Sequence, residues 1–277
     1  MVWSCLVSIL PGMAQTEKLT DYVNPFVGTD GYGNVYPGAQ IPFGGIQISP
    51  DTDSRFYDAA SGYKYNHLTL MGFSLTHLSG TGIPDLGDFL FIPGTGEMKL
   101  EPGTHEDPDQ GYRSRYSHDK EWASPNYYAV ELADYGVKAE MTSGVRSGMF
   151  RFTYPESDNA FIMIDMNHTL WQSCEWSNLR MINDSTITGY KLVKGWGPER
   201  HVYFTATFSK KLTGLRFVQD KKPVIYNTSR FRSSYEAWGK NLMACISFDT
   251  KAGEEVIVKT AISSVSTNGA KNNMAEL

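Results

Sequence analysis

Residues 127–154 read YYAVELADYGVKAEMTSGVRSGMFRFTY, and their pattern decides the fold class. From 137 to 142, Val137, Ala139 and Met141 alternate with Lys138, Glu140 and Thr142. A period of two places the apolar set on one face of a strand and the polar set on the other. Asp134-Tyr135-Gly136 supplies turn chemistry between this strand and the run at 127–132. Downstream, Ser143-Gly144 and Ser147-Gly148 bracket a second turn ahead of Phe150 and Phe152. Further runs follow at 160–165, 185–191, 201–208, 214–218, 242–248 and 255–262. Strands repeating roughly every ten residues, with turn residues between them, predict an antiparallel sandwich or barrel. No alternation of strands with helices is present, and no convincing helical pattern occurs before Ser266. The expectation is all-β.

Composition narrows the function classes. Of 277 residues 41% are apolar, too many for a disordered chain and enough to bury a large core. Twenty-five basic against thirty acidic side chains leave a net charge of −5, so there is no basic excess to displace counterions from a nucleic acid. No apolar run reaches the roughly 18 residues of a membrane span.

Both ends carry signals. MVWSCLVSILPGMAQTEK opens with an apolar stretch from Val2 to Leu10, followed by the small residues Gly12 and Ala14. That resembles the end of a secretory signal peptide, with a mature chain starting near Gln15 or Thr16 in a periplasm or outside the cell. A buried first strand is the alternative. Cys5 would leave with the signal. Cys174 and Cys245 would stay, expected as two separate buried thiols, with a bond between them the alternative in an oxidising compartment. No Cys/His spacing supports zinc. At the other end Ser266, Thr267 and Asn268 are good N-caps, and Ala270, Met274 and Leu277 recur at i, i+4, i+7. A helix without a C-cap suggests a chain that continues; a short terminal helix is the alternative.

Residues 21–96, rich in Gly, Pro, Thr and Asp, read as ordered loops at one edge of the sandwich. Gly31-x-Gly33 lacks the third glycine, the helix and the basic residue of a phosphate loop. Three clusters have chemical potential. In DYVNPFVGTDGYGNVYPG (21–38), backbone amides and Asn34 suit a polyol, or the segment is a packed β-edge. In SRFYDAASGYKY (54–65), Arg55, Phe56, Tyr57 and Asp58 set an aromatic beside charges, as a sugar site does; a solvated turn is the alternative. In GFSLTHLSGTGIPDLGDF (72–89), His77, Ser79 and Asp85 or Asp88 do not make a nucleophile elbow. Asp85 and Asp88 are expected to bond neighbouring backbone amides rather than act as an acid/base pair, whose spacing sequence cannot set. Trp171, Trp176 and Trp196, among Asn178, Arg180, Lys194 and Glu199, form a sugar platform or part of the core. The residues alone lead to a polyol-binding β domain.

Longer motifs carry a resemblance. NPFVGTDGYGNVYPGAQIPFGGIQISPDT and SGYKYNHLTLMGFSLTHLSGTGIPDLGDFLFIP closely resemble the N-terminal domain of glycoside hydrolase family 92. Matches continue through 116–155 and 189–210, and ISSVSTNGAKNNMAEL at 262–277 is similar to the family's entry into a helical linker. The resemblance covers nearly everything after residue 20. It implies a secreted, calcium-dependent, inverting exo-α-mannosidase acting on N-glycans or mannan. It also implies a β-sandwich packed on a C-terminal (α/α)6 barrel that holds the catalytic carboxylates and most calcium ligands. On that resemblance residues 1–15 are a truncated signal, 16–262 the sandwich and 263–277 the start of the linker. This chain would then contribute no catalytic residue and no metal ligand, and would be inactive alone. Phe26, Gly28 and Thr29 are the implied sugar contacts, and Asp58 and His77 contact the leaving sugar or support the interface. The implied partners are a mannose-containing glycan and the barrel itself, with no nucleic acid and no membrane span. One departure is local: Tyr32-Gly33-Asn34-Val35 stands where many members carry histidine. Two other readings stay open, a stand-alone carbohydrate-binding module without hydrolase activity and a structural interaction domain.

Overall fold

The computed structural model describes residues 18–55, 59–225 and 236–277. The alternating segment that opens the sequence reading forms strands Tyr127–Leu132, Val137–Ser143 and Ser147–Tyr154, paired antiparallel. They lie in a nine-stranded sheet whose spatial order is Glu236–Gly239, Ser173–Asn183, Thr186–Lys194, Arg200–Phe208, Glu254–Ser263, Ser147–Tyr154, Val137–Ser143, Tyr127–Leu132 and Glu121–Ser124. A seven-stranded sheet runs Ser49–Asp51, Gly72–Ser74, Leu90–Thr95, Ser157–Asp165, Leu242–Thr250, Arg216–Gln219 and Lys222–Pro223. Thr69–Leu70 and Ser114–Arg115 form a small third pair. The described pairings are antiparallel, and the fold is an all-β sandwich.

Aromatic rings weld the two large sheets. Phe91 of the seven-stranded sheet stands 5.0 Å from Phe150 and 6.5 Å from Phe204 of the nine-stranded one. Phe73 reaches both Phe150 and Phe152 at 6.4 Å. Rings at these separations add attraction beyond the area they bury.

Strand Ser157–Asp165 explains why the run at 160–165 is apolar without alternation. Ala160, Ile162 and Ile164 face the inter-sheet core, while Phe161 and Met163 join a second apolar cluster with Met71, Leu90, Ile92, Tyr112, Val218, Met243 and Cys245. The sheet is therefore covered on both faces. The covering layer includes Met98, Leu100 and Tyr112.

Two expectations need correction. Residues 21–96 are not loops alone: they supply Leu90–Thr95, a central strand, the edge strand Ser49–Asp51 and, between these two, Gly72–Ser74. Their buried residues lie in runs too short and too uniformly buried to alternate. The Trp176 stretch is the eleven-residue strand Ser173–Asn183, whose outward tryptophan, asparagine and arginine hide its period. At the C-terminal end, Ser266 caps helix Thr267–Asn273 by accepting from Gly269 N at 3.0 Å, and Ala270 is buried beneath it. Cys174 and Cys245 are free and buried, as two separate thiols. The expected signal peptide lies outside the described residues.

Candidate functional site

The Gly-rich segment 24–38 is ordered by its own short contacts. Thr29 is 2% exposed, and its hydroxyl and amide both donate to the Phe26 carbonyl, at 2.8 and 3.1 Å. The Thr29 carbonyl accepts from Tyr65 N at 3.0 Å, which ties the loop to the next cluster. Gly28 has φ +85°, and a Cβ at Gly33 would lie 2.2 Å from the Gly28 carbonyl oxygen. Glycine is thus required at both positions: one for the left-handed conformation, the other for the close approach. Asn34 O accepts from Gly80 N at 2.7 Å, which docks the 79–83 turn onto the loop.

Phe26 is positioned by an aromatic chain that ends on a buried carboxylate. Its ring meets Tyr65 edge-on at 5.8 Å, and Tyr65 stacks on His118 at 3.9 Å. His118 Nδ1 is 2.6 Å from Glu121. The tyrosine hydroxyls of Tyr63 and Tyr128 donate to Glu121 at 2.9 and 2.6 Å. Around this ordered loop the apolar side chains of Leu19, Tyr22, Val23, Val27, Tyr32 and Phe43 are exposed. Phe43 does so at φ +60°, a conformation that costs a bulky residue energy. Large apolar side chains presented to solvent mark an interaction surface.

His77 lies elsewhere, beneath the loops, and is 3% exposed. Its Nδ1 is 2.8 Å from the Gln47 carbonyl and its Nε2 is 2.8 Å from Asp51. Tyr36 packs against the ring at 5.0 Å. The second Asp51 oxygen meets His168 Nε2 at 2.8 Å. Burial opposes the charge on Asp51, but the His77 and His168 rings win and hold its carboxyl well below the usual range. Ser74 Oγ also lies 3.1 Å from Nε2 of His77. Serine and aspartate therefore share one ring nitrogen, and the ring cannot pass a proton between them as a catalytic triad does.

Asp85 accepts from Leu86 N at 2.6 Å and from Trp196 N at 3.4 Å, a backbone-bonding role as expected. Asp88 departs from that expectation, because cations rather than amides hold its oxygens. Lys191 Nζ is 3.1 Å away, Arg200 2.6 Å, and the Thr76 hydroxyl donates at 2.7 Å. Burial again opposes its charge, yet these cations keep it ionised far below the ordinary carboxylate range. An acid so strongly neutralised has no proton to donate and little basicity to offer. Sequence reasoning could not pair Asp88 with Lys191 and Arg200, which lie over a hundred positions downstream. Asp58 lies outside the described residues. Phe26, Gly28 and Thr29 thus come together in one loop, while His77 sits in a separate buried network.

Among the described residues no three His, Cys, Asp or Glu side chains converge in a way that could hold a metal ion. Asp51, Asp53 and Asp88 are engaged by His77 and His168, by Arg55, and by Lys191 and Arg200. Calcium needs six to eight oxygen ligands, a set these residues do not fit. No described helix is long and apolar enough to cross a membrane.

Comparison with known proteins gives the context. A solved family GH92 α-mannosidase from Bacteroides thetaiotaomicron, in complex with mannoimidazole, is 98% identical with a TM-score of 0.92, over 94% of this chain and 34% of that one. A family GH92 inverting mannosidase from Bacteroides thetaiotaomicron VPI-5482 shares the fold at 24% identity and a TM-score of 0.75, over 94% of this chain and 34% of its own. An uncharacterized secreted glycosidase of Arthroderma benhamiae is 30% identical over 139 residues, 50% of this chain and 17% of that protein. The chain therefore spans about a third of its solved relatives' length. The model of the glycosyl hydrolase family 92 N-terminal domain matches residues 22–263, and the chain belongs to that family.

Proposed function

We propose that this domain forms one wall of the substrate pocket of a secreted, inverting exo-α-mannosidase, whose other wall is a C-terminal (α/α)6 domain. The observation that carries the reading is the 98% identity to an α-mannosidase three times as long. The exposed apolar side chains around the ordered Gly-rich loop support it as a surface for that second domain. Phe26 and Gly28 then meet the terminal mannose, the sugar's C–H face packing on the Phe26 ring, while buried Thr29, its hydroxyl and amide spent on the Phe26 carbonyl, holds them in place. His77, buried with both ring nitrogens engaged, supports the interface from beneath the loops, and Asp58 is assigned to the leaving-sugar side.

In such an enzyme one carboxylic acid protonates the departing glycosidic oxygen, and a carboxylate about 6.5–9.5 Å away activates water on the opposite face. Asp51 and Asp88 are neutralised by buried partners and take neither role. The two catalytic carboxylates and the calcium site are assigned to the C-terminal domain. What this chain supplies is position: Thr29 pins the loop, and Glu121 pins Phe26 through His118 and Tyr65.

The test is a chimera in which this chain replaces the corresponding third of the 98%-identical α-mannosidase. The chimera is expected to hydrolyse α-mannosides, with kcat/KM falling at least about tenfold for Phe26→Ala, while the isolated chain shows no turnover. Hydrolysis by the isolated chain, or a Phe26→Ala chimera with unchanged kinetics, would overturn the assignment. The alternative of a stand-alone carbohydrate-binding module predicts saturable sugar binding at the loop without the second domain.

A further inference from the structure

A cavity of about 940 Å³ opens on the outer face of the seven-stranded sheet, and none of its lining residues comes from the Gly-rich loop. Its apolar side is made by Met71, Val218 and Met243, and its polar side by Asp165 and Gln172, with Trp171 also on the wall. We propose that this cavity is a second sugar site, taking a pyranose unit of a glycan against Trp171 and the Gln172 amide. The choice of ligand rests on the reading of the chain as part of a glycan-processing enzyme.

Three features point to such a ligand. Gln172 Oε1 is buried without a hydrogen-bond partner, while its Nε2 donates to the Pro84 carbonyl at 2.8 Å. Gly195 packs closely on this side chain, so that a Cβ there would lie 2.5 Å from Gln172 Cγ. A buried acceptor left open is costly, and a sugar hydroxyl would satisfy it. Trp171 holds φ +72°, a left-handed conformation that a bulky side chain rarely adopts and that strained sites retain. Asp165 accepts from Asn167 N at 2.8 Å and from the Tyr112 hydroxyl at 3.4 Å, which fixes a carboxyl in the wall.

Charge disfavours an anionic ligand, since Glu101, Asp165 and Asp220 also line the wall. Both lysines of the wall are already engaged, Lys240 by Glu175 at 3.2 Å and Lys221 by Glu101. A neutral, multiply hydroxylated ring with an apolar face matches the mixture that remains, and the volume suits a ligand of more than one such ring.

The experiment is calorimetric titration of the full 277-residue chain with an α-linked mannobiose. Saturable binding is expected, weakened about tenfold or more by Gln172→Ala and by Trp171→Gly, and unchanged by Trp122→Ala on the far edge strand of the nine-stranded sheet. Trp171→Gly removes the ring while relieving the positive φ, so its thermal melt is expected to hold even as binding falls. Absence of saturable binding would overturn the proposal, as would binding that ignores both cavity variants. Failure here leaves the pocket-wall reading intact, because that reading is decided by hydrolysis in the chimera and its dependence on Phe26.

Discussion

At the scale of single residues, this domain's unusual chemistry lies in charges kept away from water. Lys191 is fully buried, 3.1 Å from Asp88 and 2.6 Å from the His168 carbonyl, and lies over the Phe89 ring at 5.3 Å. Lys191→Met would leave Asp88 to Arg200 and the Thr76 hydroxyl and orphan the His168 carbonyl. The expected loss is about 3 kcal/mol of unfolding free energy, read from urea denaturation. Gly33→Ala tests the loop in another way. Its Cβ would collide with the Gly28 carbonyl, so the Gly-rich loop must move. The chimera carrying it is expected to fold but to lose about tenfold or more in kcat/KM, a loss that misplacement of a positioning loop by an ångström readily produces. Both glycines were visible in the sequence as members of a Gly-rich stretch. Which of them face a backbone atom was not, because the contact is set by the path of the chain rather than by composition.

At the scale of elements, strands with one wet face were legible and strands covered twice were not. Val137–Ser143 alternates because Val137, Ala139 and Met141 meet the core while Lys138, Glu140 and Thr142 line a polar outer face, and the sequence reading placed it and Tyr127–Leu132 to within a residue. Leu90–Thr95 is buried on both sides and begins among glycines, so it gave no period to read. Ser173–Asn183 was hidden for the opposite reason, since its outward residues include Trp176, which mimics a core position. The site followed the same division. Phe26, Gly28 and Thr29 share a local motif and lie in one loop, whereas the His77–Asp51–His168 network joins residues up to 117 positions apart. The core aromatics set the mechanical scale of these elements. Phe150 touches Phe91, Phe152 and Phe73, and Phe150→Ala is expected to cost about 3–5 kcal/mol. Ser266→Ala removes only a helix cap, and about 1 kcal/mol is expected in the same denaturation assay.

At the scale of the molecule, the depressed carboxylates make an acid limit. A folded-state value below the unfolded one contributes stability that is complete above the unfolded value and disappears as pH falls through the folded one. Asp51, Asp53 and Asp88 are all lowered, and Glu140, hydrogen-bonded to Arg151, is held at about 2. Urea midpoints are therefore expected to be insensitive to these four groups above about pH 5 and to fall steadily below about pH 4. A midpoint unchanged from neutrality down to about pH 3 would contradict the ion-pair network described here.

The place of Glu254–Ser263 has a consequence for how the chain is made. This last strand lies between Arg200–Phe208 and Ser147–Tyr154, with four strands on either side of it. During synthesis those two groups of four emerge earlier, each with an open edge, and no described strand pairing joins them until Glu254–Ser263 clears the ribosome. Unpaired edges on a nascent chain invite pairing with a neighbour's. A nascent chain arrested so that residue 253 has just emerged should accordingly be protease-sensitive and bound by chaperones. One arrested after the whole of Glu254–Ser263 has emerged should resist proteolysis. The strand that closes the larger sheet is the last of its nine in chain order.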